Sequence, residues 1–190
     1  MSTTVTPSRS DVMKALRAFI QSLVGTNIEV IEGLGNRAAM PRAETSPGGV
    51  PGPKGFIVLT WILQQTLSTN LDSFADPFPA VGMGKTVSVD LKVTIQCDCY
   101  GRESANWATI IATMMQDEYA ADQLLPVCAP LYADTPQMAP LIDEEQQYLE
   151  RWFFGLHINY NPQITFVQDF ATGLEPGIFN VEVEFPANVA

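Results

Sequence analysis

Residues 86–100 read Thr86-Val-Ser-Val-Asp-Leu-Lys-Val-Thr-Ile-Gln-Cys-Asp-Cys-Tyr100 (TVSVDLKVTIQCDCY). Val87, Val89, Leu91, Val93, Ile95, Cys97 and Cys99 occupy the odd positions, and Thr86, Ser88, Asp90, Lys92, Thr94, Gln96 and Asp98 the even ones. Period-2 alternation rich in β-branched residues predicts a strand with one buried and one wet face. At about 3.3 Å per residue it would reach ~50 Å, whereas a compact chain of this size is roughly 40 Å wide. The strand therefore crosses or overhangs the domain, and its Lys85 end is expected to project and touch another subunit.

The flanking segments supply the rest of an α+β plan. Residues 1–9 read as a flexible tail, and Ser10 as the N-cap of a helix running to Val24, with Gly25 past its end. Val12, Met13, Leu16, Phe19, Ile20, Leu23 and Val24 keep a helical period. Asn27–Glu32 is a short strand. Residues 33–55 hold ten Gly and Pro residues, a density that predicts a long exposed loop. Phe56–Asn70 reads as a second long strand, apolar first and polar later, and Leu71–Gly84 as its connection to the quoted stretch. Glu103–Gln123 is the second helix, Pro126–Pro140 a loop, and Gln146–Asn161 a third long strand ended by Pro162. That strand has Tyr148, Trp152, Phe154, Leu156, Ile158 and Tyr160 on one face, and Arg151, His157 and Asn159 on the other. Ile178–Phe185 (IFNVEVEF) is a last strand that closes the sheet or pairs with another copy's edge. The order predicts a mostly antiparallel sheet of long strands with two main helices on one face. Residues 10–165 form its single domain, and residues 166–190 an extension.

Composition narrows the function. The chain has 190 residues, 46% hydrophobic and 16% charged, which suits a folded domain. No apolar run approaches the ~18 residues of a membrane span. The first ten residues are polar, without the apolar region of a secretory signal. Three cysteines make no disulfide framework and read as reduced thiols. Charge is lopsided: residues 1–102 hold 9 Lys/Arg against 8 Asp/Glu, and residues 103–190 hold 13 acids against one base, Arg151. That argues against a phosphate-gripping surface. It leaves a solvated acidic face, or one that repels nucleic acid.

Candidate chemistry is sparse. Gly84-Lys85-Thr86 sits where a phosphate loop would need a following helix, but a strand follows and Pro79 holds the first glycine position. Cys97-x-Cys99, with Cys128 and His157, offers ligand types for zinc, yet a mid-strand apolar face is the place of small core residues. Asp143-Glu144-Glu145 and Asp117-Glu118 read as solvated helix ends or loops. No catalytic, cofactor-binding or metal residue is assigned, and no cofactor is expected.

Several strings in order carry a resemblance: Asn36-Arg37; Leu67-Ser68-Thr69-Asn70; Gln96-x-Asp98-Cys99-Tyr100-Gly101 with Trp107-Ala108; Pro130-Leu131-Tyr132-Ala133-Asp134; Glu145-Gln146-Gln147-Tyr148 with Arg151-Trp152; and Tyr160-Asn161-Pro162. Across residues 10–165 the chain resembles the neck or tail terminator proteins of contractile-tailed bacteriophages and prophages. The resemblance implies a virion protein without an active site, assembled in the host cytoplasm into a six-fold ring. Its implied partners are copies of itself, the tail tube and sheath, and the head connector or collar proteins. Genomic DNA would pass through without specific binding, and no membrane is involved. The alternatives are a baseplate or other adaptor of the same virion, or a small cytosolic thiol- or metal-dependent domain using Cys99, Cys128 and His157.

Overall fold

The odd face of the quoted stretch is core. Leu91, Val93, Ile95, Cys97 and Cys99 are buried beneath Val12, Leu16, Phe19, Ile20, Trp107, Ala108, Ile111 and Met115. Each fully buried aliphatic side chain contributes roughly 1.5–3 kcal/mol. The computed structural model describes residues 3–34, 55–75, 84–125, 127–142 and 148–167. Its elements, in chain order, are β1 (Thr4–Thr6), α1 (Arg9–Val24), β2 (Glu29–Glu32), β3 (Gly55–Thr66), β4 (Leu71–Ala75), β5 (Gly84–Ser88) and β6 (Leu91–Gly101). There follow α2 (Ser104–Met114), α3 (Glu118–Leu124), β7 (Ala129–Ala133), β8 (Gln137–Met138), β9 (Leu141–Ile142), β10 (Tyr148–Leu149), β11 (Arg151–Tyr160) and β12 (Gln163–Val167).

The body is a sheet in the order β2-β3-β6-β11-β7, with β8 also on β11. All its pairs are antiparallel except β2 with β3. The α+β architecture is as expected, with three helices among the described residues where two were anticipated. The second splits because Met115 ends α2 and Asp117 starts α3, its carboxylate accepting from the Tyr119 N–H at 2.9 Å.

The quoted stretch is not one strand. It divides at Val89-Asp90 into β5 and β6, which belong to different sheets. Its partner divides at Asn161-Pro162. Ser88 faces Gln163 and Leu91 faces Tyr160, so two residues intervene on each side and the register survives the bend. Pro162 has no N–H for the ladder. At the bend, Asp90 instead accepts from the Leu67 N–H at 2.9 Å and from the Ser68 hydroxyl at 3.1 Å. The second long strand breaks at the same level, β3 ending at Thr66 and β4 starting at Leu71. The overlong strands therefore run from the helix-covered body into an arm, a four-stranded sheet ordered β1-β12-β5-β4.

Three further expectations are corrected. The N-terminal tail is structured from Thr4: β1 pairs with β12, and Tyr160 donates its hydroxyl to the Pro7 carbonyl at 2.7 Å. The N-cap of α1 is Ser8, not Ser10, because only Ser8 has an acidic residue three positions on. The Ser8 hydroxyl accepts from the Asp11 N–H, and the Asp11 carboxylate accepts from the Ser8 N–H at 3.0 Å, closing a capping box. The Pro126–Pro140 stretch contains β7 and β8, since Pro130 lies on an edge strand where its missing N–H is tolerated. Residues 35–54 of the Gly/Pro-rich loop and the Ile178–Phe185 strand lie outside the described residues.

Candidate assembly surface

Away from the helices, the body sheet presents the even residues of β6 and the odd residues of β11, a face that is polar but organised. Asp98 is 4% exposed. Its Oδ1 accepts from Arg151 Nη2 at 2.6 Å and Nε at 2.9 Å, and the Gln96 amide donates to both of its oxygens at 2.9 Å. The Arg151 guanidinium lies over the Phe153 and Tyr100 rings, and Tyr100 stacks on Phe56 at 4.6 Å. Burial works against the charge of Arg151, but the Asp98 bond and charge outweigh it and hold its pKa above the usual value. Burial first, and then the Asp98 charge, raise the Tyr100 phenol. Ile31, Phe56, Val58 and Tyr100 form a second, smaller apolar cluster there.

Further along this face, His157 is clamped. Its Nε2 lies 3.1 Å from Asp134 Oδ2, its Nδ1 lies 3.1 Å from Thr94 Oγ1, and the Tyr132 ring stacks on it at 4.2 Å. Lys92 donates to the Tyr132 hydroxyl at 2.8 Å. One consistent arrangement has Nε2–H donating to Asp134 while Nδ1 accepts from Thr94. These contacts tie β6, β7 and β11 together on an open sheet face.

The arm has two unlike faces. Register places Val5, Ile164, Val87 and Phe166 on one side, with the Lys85–Asp72 ion pair at 2.6 Å. Thr4, Thr6, Thr86, Ser88, Ser73, Thr165 and Gln163 take the other, where the Thr86 and Thr165 hydroxyls meet at 3.1 Å. No described side chain of these four strands is buried. On the first side Val87, Ile164 and Phe166 are half-buried, whereas the described residues of the other side are mostly exposed. Where the arm meets the body, Val5, Trp61, Val89, Leu91, Tyr160 and Ile164 help line a groove of about 400 Å³.

The residues singled out by sequence separate. Gly84, Lys85 and Thr86 lie in β5, followed by no helix, so they do not form a phosphate loop. Cys97, Cys99 and Cys128 are buried in the core. His157 pairs with Thr94, on the sheet face opposite Cys97 and Cys99. The convergence that a thiol–histidine site requires is therefore contradicted, and among the described residues no group of three or more His, Cys, Asp or Glu side chains could hold a metal. Burial pushes the Cys97 thiol well up and Cys128 up to about 12. Burial therefore keeps Cys128 protonated and unreactive near neutral pH. Ellman's reagent is expected to find no reactive thiol in the folded chain and three after denaturation; one fast thiol in the native state would contradict the core assignment. Asp117 and Glu118 sit at a helix end as expected, while residues 143–145 lie outside the described residues. Asp98, Asp134 and the arm's two faces were not foreseen. The signal in the sequence is opposite charge on the wet faces of two alternating strands, Asp98 within one and Arg151 within the other.

The chain is thus an α+β body extended by an arm in which no described side chain is buried. Comparison with known families names the kind: the family model described as phage neck terminator protein matches residues 10–182, and the chain belongs to that family. Membership gives it a structural role in phage. A search of curated proteins finds no match.

Proposed function

We propose that this chain is a non-enzymatic virion protein that forms a six-fold ring at the neck of a contractile-tailed phage. The ring ends the tail and joins it to the head connector. It contacts the tail tube and sheath on one side, and connector or collar proteins on the other. Family membership over residues 10–182 is the observation that carries the reading. The arm supports it, because a sheet in which no described side chain is fully buried has surface left for a neighbouring chain to cover. Residues 10–165 act as the single ring-forming domain, although β1 and β12 extend the ordered fold to either side of those limits.

DNA passes through the ring without being gripped. Asp117, Glu118 and Asp122 are exposed around α3, and such carboxylates facing the channel would let a polyanion slide. Among the described residues no helix is long and apolar enough to cross a membrane.

The test is a phage in which this gene is interrupted. Full heads beside unattached tails of abnormal length are expected, with attachment restored by the protein in trans. Normally joined heads and tails with a defective baseplate would overturn the neck assignment.

A further inference from the structure

Among the described residues, β3 has an open edge beyond Leu59. β2 accompanies β3 only where Glu29 to Glu32 face Phe56 to Leu59, and the Gly33 N–H then closes on the Leu59 carbonyl at 2.7 Å. Among the described residues nothing pairs with that side of β3 from Trp61 to Thr66, while β6 holds the other side as far as Thr66 opposite Leu91. Ile62, Leu63 and Leu67 are 55, 46 and 55% exposed. From Gly55 to Leu71 there is no charged residue and no proline. Proteins protect open edges with charge, proline or bulges. Here, among the described residues, a bulge between Trp61 and Leu63 is the only such device, and Leu63 to Thr66 run on in register beyond it. An uncharged, half-apolar edge of this kind is a template for another strand.

We propose that this edge accepts a strand from a second copy of the chain, and that the strand is residues 178–185. The proposal rests on the ring reading above. In IFNVEVEF, Phe179, Val181, Val183 and Phe185 alternate with Asn180, Glu182 and Glu184. The segment can therefore cover apolar surface with one face and give the β3 edge the charges it lacks. Geometry favours a neighbour over the same chain. β12 runs from the body toward the tip of the arm and ends at Val167 opposite Gly84, heading away from the body. It also lies on the opposite side of β5 and β6 from β3 and β4. Residues 168–177 reach at most about 36 Å, enough to bridge to an adjacent subunit. In the single chain Ile62 and Leu63 remain half exposed, and among the described residues no strand pairs with this edge.

Two variants of the full chain, Leu63→Cys and Val181→Cys, carried on differently tagged copies, test the contact. Mixed at assembling concentration and oxidised, they are expected to give a cross-linked dimer of unlike copies. Its yield should exceed that of either variant alone by about tenfold, the native thiols being buried. Deleting residues 178–190, or replacing Leu63 with Lys, should each raise the concentration needed for assembly by about tenfold or more in sedimentation, a shift of about 1.4 kcal/mol. An internal link in the Leu63→Cys/Val181→Cys double variant would overturn the exchange between copies. A ring that forms without the mixed cross-link and tolerates the deletion would overturn the strand addition and leave the ring intact. A chain that stays monomeric at every concentration and on isolated tails would overturn both.

Discussion

Arg151→Ala is expected to lower stability by about 3 kcal/mol, the low end of the cost of stripping one partner from a buried ion pair. Asp98 sets the size of the effect. Its side chain is 5% exposed, whereas that of Arg151 is 26% exposed. Deleting the arginine leaves a carboxylate almost out of water, with only the Gln96 amide still donating to it. The same deletion uncovers the Tyr100 and Phe153 rings over which the guanidinium lies. For a chain of this size the midpoint of thermal unfolding should fall by roughly 6–12 °C. Asp98→Asn combined with Arg151→Met should cost less than Arg151→Ala, because no buried charge is then left unpaired. A loss below about 1 kcal/mol in Arg151→Ala would instead mark the pair as an ordinary surface bridge. The comparison is made by urea unfolding of the two variants beside the parent chain.

That pair shows where reading the sequence stopped. Alternation identified the buried faces of both strands: Val93, Ile95 and Cys97 on one, Phe154, Leu156 and Ile158 on the other. Burial on one side imposes period 2 wherever it occurs. Alternation says nothing about which wet-face residues meet, and 53 residues separate Asp98 from Arg151. It was blind to the bend for a related reason. With the register preserved across Val89-Asp90, Val87, Val89 and Leu91 keep their parity, and the pattern continues as though the strand were straight. The sign of the break lay in the partner strand, at Pro162. Length was legible in a modified form: the strands do outrun the body, and the excess forms a separate sheet. Strand β7 escaped notice because prolines weigh against strands in general, yet an edge strand accepts them. The capping box was readable, since Ser8 and Asp11 have the required spacing and Ser10 and Met13 do not.

Gly55→Ala should be as damaging as Arg151→Ala, by a different route. A Cβ at this position would lie 1.9 Å from the Tyr100 carbonyl oxygen and 2.9 Å from Trp107 Cζ3, and the glycine has φ +158°. The carbonyl is backbone of the central strand β6 and cannot rotate aside, and Trp107 is packed into the core. Gly55 faces Gly101 across the ladder, so two residues without side chains let β3 and β6 approach closely just before α2 begins. Forcing a methyl group in must push β3 outward. β2 would move with it, because Glu29 pairs with Phe56 directly after the glycine. The expected cost is about 3 kcal/mol or more, at or above the usual range for overpacking. Trp107 fluorescence should change as well, since the ring is one of the two obstacles. Gly155→Ala provides the contrast. The nearest atom to its added methyl is Asp134 Oδ2 at 2.4 Å, the end of a side chain that is 53% exposed; it can swing away at the loss of its contact with His157, so the cost there should be about 1 kcal/mol. If the two glycine variants unfold at the same urea concentration, backbone crowding at the start of β3 is not what fixes the β3–β6 approach. If Gly55→Ala alone collapses, that approach is a fixed dimension of the body, and it holds the sheet from which the open edge of β3 extends.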